Sequence, residues 1–228
     1  MGYTYALTSS DDLDYFAETY NYMNRGSLYA PLKGFSGSAG VRFQVGYRNV
    51  KGIHRAITAG YQSFENRDIA QFYNGANRTL SLKMAGLFIE GELGKMLRRP
   101  YFINGVMTFY LSRNVKLKSS YSDPSEVAST SISGNYEGFA AFSADIGVAF
   151  GFLREPFMLT CKISFPIYTG GSSNLLRDTS PEKIEQGTQV FPDDYEKYLF
   201  YEPYTGVKSN IDGWKILITG SFIKRILR

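Results

Sequence analysis

Apolar and polar residues alternate one for one along several stretches, the period of a strand whose two faces meet different surroundings. In 35–47 the odd positions are Phe35, Gly37, Ala39, Val41, Phe43, Val45 and Tyr47, against Ser36, Arg42 and Gln44 on the even ones. In 101–115, Tyr101, Ile103, Met107, Phe109 and Leu111 oppose Asn104, Thr108, Tyr110 and Ser112. Segments 140–152, 157–167 and 214–222 repeat the pattern, with apolar faces built on Phe142, Ile146 and Val148, on Leu159, Cys161 and Ile163, and on Trp214, Ile216 and Ile218. Stretch 53–64 is noisier, since Arg55 shares a face with Ile53, Ile57, Ala59 and Tyr61. In 79–95 the phase changes, Leu80, Leu82 and Met84 being followed by Leu87, Ile89 and Leu93. A bulge near Ala85-Gly86 is expected to reconcile them, because one extra residue shifts the register by one.

The connections between these seven strands alternate in length. NVKG (49–52), LRRP (97–100) and LREP (153–156) are tight; 66–78, 117–136 and 169–213 are long. Short turns on one rim and long loops on the other describe an up-and-down meander. The strand at 35–47 starts from the long-loop rim, so an earlier strand must bring the chain there; the opening GYTYAL, followed by loop 8–33, fits. The expected fold is therefore all-β: an eight-stranded antiparallel up-and-down barrel, one domain over 1–228, with large loops at 8–33 and 170–212.

Alternation does not say which face points inward. A soluble lipocalin-like barrel buries its apolar face, whereas a transmembrane barrel turns it to lipid. The other face decides. A water-exposed face should carry many Lys and Glu; this one carries Gly, Ser, Thr, Asn and Ala, small enough for a narrow lumen. Strands of about ten or more residues suit a tilted bilayer crossing. Tyr47, Tyr61, Tyr101, Tyr168 and Trp214 lie near strand ends, where an aromatic girdle would sit, although aromatics are also good strand formers. The transmembrane reading is preferred.

Composition agrees. Of 228 residues, 16% are aromatic and 23 are Gly. One Cys and one His rule out a disulfide scaffold and a Cys/His zinc site. A net charge of +4 is too small to point to nucleic acid. No run of about 18 apolar residues offers a membrane helix. A mean hydropathy of −0.22 is what half-apolar strands and polar loops average to.

The opening GYTYAL, the hairpin GSAGVRFQVGYRNVKG and the last strand GWKILITGSF resemble the small eight-stranded outer-membrane β-barrels of Gram-negative bacteria, of the OmpA/OmpX type. The resemblance covers nearly the whole chain as architecture rather than as a signature motif. It implies the bacterial outer membrane, a removed signal peptide, a barrel too thin for an open channel, and contact with outer-membrane lipid and lipopolysaccharide. The family's last strand typically ends in an aromatic residue, and here Phe222 is followed by IKRILR.

Inward positions Arg42, Glu90, Asp145, Lys162 and Lys215 all fall some seven to nine residues from the short-turn rim. Charges at low dielectric are tolerated only when paired, so an ion-pair network across the lumen is expected. It closes the lumen; the alternative is a narrow small-solute pore. A third reading is a lipid-modifying barrel enzyme. Its chemistry would need a base beside a nucleophile, and His54 sits two residues after NVKG, at the opposite rim from such sites. Cys161 alternates with Leu159 and Ile163 and behaves as a small hydrophobe. Loop acids Asp178, Glu182, Glu185, Asp193, Asp194 and Glu196 lack the spacing of a calcium loop. Neither a cofactor nor a metal is expected.

The short turns are basic, with Lys51, Arg98, Arg99 and Arg154, while loop 8–33 holds Asp11, Asp12, Asp14 and Glu18 and a helix pattern, DDLDYFAETYNYMN. The last loop carries Phe191, Tyr195, Tyr198, Phe200, Tyr201 and Tyr204, residue types favoured at interfaces. The expected role is a structural or accessory subunit that contacts another outer-membrane protein or complex.

Overall fold

A computed structural model of the chain describes residues 2–6, 11–50, 53–123, 132–140, 142–169, 176–179 and 213–223. In chain order the elements are β1 (Gly2–Ala6), α1 (Asp11–Asn24), β2 (Leu28–Ala30), β3 (Ser38–Asn49), β4 (His54–Phe72), β5 (Asn77–Met96), β6 (Tyr101–Tyr121), β7 (Gly134–Ala140), β8 (Ser143–Arg154), β9 (Phe157–Thr169), β10 (Arg177–Asp178) and β11 (Lys215–Phe222). Eight of the strands close into an antiparallel barrel, in the order β1, β3, β4, β5, β6, β8, β9, β11. Five registered pairs from Gly2↔Thr219 to Ala6↔Lys215 join the last strand to the first. Closure leaves no unpaired strand edge around the ring. Outside the ring, β7 continues along the upper part of β6, β10 pairs with β7, and β2 pairs with the upper end of β4.

The wall is uneven in height. β4, β5 and β6 have 19, 20 and 21 residues, whereas β3, β8 and β9 have 12, 12 and 13. In the lower part, shared by all eight strands, most large apolar residues point out and the charged and polar ones point in, with Phe88, Phe102, Met158 and Leu217 also inward. Val41, Phe43, Ile57, Leu87, Ile89, Leu93, Met107, Val148, Leu159 and Ile218 are exposed, while Arg42, Gln62, Glu90, Thr108, Lys162 and Thr219 are buried. In the upper part of β4–β6 the order reverses. Phe64, Leu80, Leu82, Met84, Val115 and Leu117 point in and are buried.

Helix α1 fills that upper interior. Leu13, Phe16, Ala17 and Tyr20 recur at the spacing of one helix face and all are buried. They pack with Leu28, Leu32, Phe35, Leu80, Leu82, Val115, Leu117 and Tyr136 in one apolar cluster. Polar clips hold the segment after the helix. Asn21 and Leu32 exchange two bonds of 2.8 Å each. The Asp68 carboxylate accepts the backbone N–H of Lys33 at 2.7 Å and of Gly34 at 3.0 Å. Gly34 has φ of 83°, and a Cβ there would also stand 2.8 Å from the Asp14 carboxylate, so no other residue fits without strain.

Two expectations change. The bulge expected near Ala85-Gly86 in β5 is absent: β5 pairs with β4 without a shift, and its even-numbered residues stay inward throughout. The apolar set changes phase because the surroundings change, not because the strand does. The register does shift between β5 and β6, at Leu87/Phe88, where Leu111 of β6 is the extra residue. The stretch 66–78, expected as a long loop, is mostly strand. Only 73–76 turn, with Gly75 N–H donating to the Phe72 carbonyl at 3.0 Å. Its outward strand residues are Arg67, Ile69 and Gln71, and its inward Ala70 and Phe72 join the apolar cluster that includes α1. Helix α1 itself matches DDLDYFAETYNYMN.

Candidate functional site

All eight barrel strands place polar side chains in the lower interior, β1 contributing Thr4. Arg42 and Arg48 come from β3, His54, Thr58 and Gln62 from β4, and Glu90 and Glu92 from β5. Asn104, Thr108 and Tyr110 come from β6, Asp145 from β8, Lys162 from β9 and Lys215 from β11. Their parity puts them there: each lies one step from an outward apolar residue.

Glu90 is the centre of the arrangement. Its Oε2 accepts from Arg42 Nη2 at 2.7 Å and from Thr108 Oγ1 at 2.9 Å. Its Oε1 pairs with Lys162 Nζ and accepts from Thr58 Oγ1 at 3.4 Å. Glu92 sits one inward step below. It takes Lys162 Nζ at 2.7 Å on Oε1, and on Oε2 it takes Arg48 Nη2 at 2.9 Å and Asn104 Nδ2 at 2.7 Å. Lys162 thus bridges two carboxylates. A second pair, Lys215 Nζ to Asp145 Oδ2 at 2.5 Å, stands across the lumen. Tyr110 links the two groups: its hydroxyl donates to Asp145 Oδ2 at 3.2 Å and accepts from Gln62 Nε2 at 3.3 Å. Gln62 Oε1 in turn accepts from Arg42 Nη1 at 3.1 Å. Rings occupy the space between the ions. The Arg42 guanidinium lies 3.6 Å from the Phe88 ring centroid, and Lys215 Nζ 4.8 Å from that of Tyr110.

The five residues singled out from the sequence are all inward. Arg42, Glu90 and Lys162 form one connected group and Asp145 and Lys215 another. Arg48 and Glu92 were missed, although each shares its parity with a residue that was named. His54 differs most from its sequence reading. Two residues after the NVKG turn, where the sequence favours a polar residue beside the turn, it is instead fully buried, with Nδ1 2.7 Å from Asn104 Oδ1 and Nε2 3.2 Å from Arg48 Nη1. Its ring stands 4.5 Å from that of Phe102. No hydroxyl or thiol is among these contacts. Among the described residues no group of three His, Cys, Asp or Glu side chains is placed to hold a metal ion.

The outer surface of the same storey is a belt of exposed apolar residues, of which Val45 at 80%, Leu93 at 63% and Ile57 at 59% face fully away from the interior. Tyr47 and Tyr101 stand on this surface near the short-turn rim, and Tyr168 and Trp214 near the other, Trp214 against Phe165 at 5.3 Å. Tyr61 is outward too, but β4 continues to Phe72, so it lies within the wall rather than at its end. Cys161 is partly exposed on the same side. Phe191, Tyr195, Tyr198, Phe200, Tyr201 and Tyr204 lie outside the described residues.

No protein-family model matches the chain, and no curated protein or solved structure shows significant similarity to it.

Proposed function

We propose that this chain is a non-enzymatic β-barrel of the bacterial outer membrane, closed to solutes, that serves as a structural or accessory subunit of a larger outer-membrane assembly. The observation that carries the reading is the reversal of the lower storey, where ion pairs lie inside and a ring of large apolar side chains lies outside. In water such a belt would cost about 25 cal/mol per Å² of apolar surface, and soluble monomers rarely expose contiguous patches above a few hundred Å². In lipid it costs nothing. Its height also fits. On β5 the outward cations Lys83 and Lys95 bracket Leu87, Ile89 and Leu93. Twelve strand steps tilted by about 40° rise roughly 31 Å, enough to enclose an apolar band of about 25 Å.

An interior of eight strands is only wide enough for side chains. Here the ion pairs, Phe88, Phe102 and Tyr110 fill it below, and α1 with its apolar cluster fills it above. His54 is engaged by Asn104 and Arg48 inside the wall. Solute passage and lipid chemistry thus find no support in the geometry, and the outer surfaces remain as the working parts. At the upper end Tyr22, Met23, Tyr29 and Tyr73 are exposed, residue types enriched where proteins meet.

Purification from native membranes in mild detergent tests the reading. A partner recovered at fixed stoichiometry is the expected result, and a lone monomer overturns the accessory role. Steady single-channel openings of the purified chain would replace it with the solute-pore reading.

A further inference from the structure

The rim of short turns carries cations that have no counterpart. Arg55 and Lys95 point outward on β4 and β5, Arg98 and Arg99 lie in the β5–β6 turn, and Arg154 ends β8; all five are exposed. Among the described residues none of them pairs with a carboxylate. The turns NVKG, LRRP and LREP hold one acid between them, Glu155. Elsewhere charges are matched: Arg42, Arg48, Lys162 and Lys215 each meet a carboxylate inside, and Lys116 meets Glu137 outside. Arg55 stands opposite Leu93, so it is also the diagonal neighbour of Lys95, and like charges so placed on a sheet repel.

Backbone bonds lace the turns together. Tyr101 N–H donates to the Arg98 carbonyl at 2.6 Å and closes the β5–β6 turn. Leu153 N–H donates to the Pro100 carbonyl at 2.8 Å, which ties that turn to the end of β8. Ile223 N–H donates to the Pro156 carbonyl at 2.7 Å, which ties the β8–β9 turn to the chain leaving β11. Arg98, Arg99 and Arg154 thus share one platform, and a ligand does not have to order its backbone.

Charge alone suits a lipid headgroup or an acidic polypeptide, and the apolar residues of the rim separate the two. Ile53 and Leu97 are exposed among the cations. Tyr47 stands opposite Ile57, so Ile53 lies four residues further toward the turn, beyond the girdle. A headgroup neutralises the cations and leaves these aliphatic side chains in polar surroundings. A polypeptide that mixes carboxylates with apolar side chains meets both. A second copy in the same membrane does not supply it, because Asp11, Asp12 and Glu18 belong to α1, at the opposite end of the barrel.

We propose that the short-turn rim docks an acidic, amphipathic segment of a partner protein. Carboxylates of the segment sit on Arg98, Arg99 and Arg154, whose planar forks match them, and its apolar side chains cover Ile53 and Leu97. The inference rests on the accessory-subunit reading and names the face and the partner chemistry that the reading needs.

The full chain is placed in phosphatidylcholine nanodiscs, with insertion read by heat-dependent gel mobility. The probe is a fluorescein-labelled synthetic peptide of glutamate, leucine and glycine, compared with a leucine-free peptide of the same charge; binding is read by anisotropy. The parent should bind the leucine-containing peptide more tightly. Arg98→Gln, Arg99→Gln, Arg154→Gln should insert normally and weaken binding by up to about fivefold per cation removed. Ile53→Ser, Leu97→Ser should abolish the preference for leucine. A control at the other end, Arg67→Gln, Lys83→Gln, Lys118→Gln, should bind as the parent does. Equal binding by the parent and the arginine variant, or loss of the peptide from the parent when phosphatidylglycerol is added to the nanodisc, overturns the docking site, the second in favour of a lipid headgroup. Either result leaves recovery of a partner from native membranes, and with it the accessory reading, to stand or fall separately.

Discussion

At the scale of single residues, the position of a carboxylate relative to the wall decides what it is worth. Glu90 holds two cations and two hydroxyls inside the barrel, and it is 1% exposed. Glu137 holds one lysine on the outside, with nearly half of its side chain open to solvent. Replacing one partner of a buried pair leaves an uncompensated charge in a poor dielectric and costs about 3–5 kcal/mol. An exposed pair contributes at most about 1 kcal/mol. Guanidinium unfolding of the reconstituted barrel should therefore show a large loss of stability for Glu90→Ala and almost none for Glu137→Ala; similar losses would contradict the placement. Gly151 makes a second case. The ring of Phe102, its registered partner on the neighbouring strand β6, occupies the place its side chain would take. Gly151→Leu should lower stability by about 1–3 kcal/mol, the cost of overpacking a filled interior, and pairing it with Phe102→Ala should recover part of the loss.

At the scale of elements, α1 behaves as an inserted part rather than a piece of the wall. Its buried face contacts the upper cluster, and no backbone ladder joins it to the barrel. Phe16→Asp places a charge in that cluster and should release the helix without opening the ring. The expected result is faster tryptic cleavage after the exposed Arg25, with heat-dependent mobility unchanged; unfolding of both together would show that the barrel depends on the helix. This helix was legible in the sequence, since its acidic first turn and Leu13, Phe16, Ala17, Tyr20 spacing are local signals. The lower strands were legible for the same reason, each carrying an alternating code of its own. The upper storey was not. Leu80, Leu82 and Met84 read as out of phase with Leu87 and Ile89 only if one face is taken to meet one medium throughout, and in β5 that assumption fails at Ala85-Gly86. His54 and Glu92 were hidden differently. Their partners, Asn104, Arg48 and Lys162, lie on other strands, and only the register brings them within reach.

At the scale of the whole molecule, two fillings lie in series along one axis, ionic below and apolar above. Either one alone should stop ions. Bilayer recordings are expected to stay silent for the parent, for a Glu90→Gln, Lys162→Gln variant, and for Phe16→Asp. Openings should appear only when the two kinds of change are combined; openings from the parent would remove the seal from the account. The reversal between the storeys has one more effect. Plain alternation repeats every two residues, so a strand that slips by two still shows its neighbours the same faces. The reversal breaks that equivalence. It falls in one row on three adjacent strands, above Gln62, Gly86 and Arg113 and below Phe64, Met84 and Val115. A two-residue slip of β5 would set Met84 level with Gln62 and Arg113 in one direction, or Gly86 level with Phe64 and Val115 in the other. The chain thus specifies vertical alignment as well as facing, and β4, β5 and β6 have a single height at which all three agree.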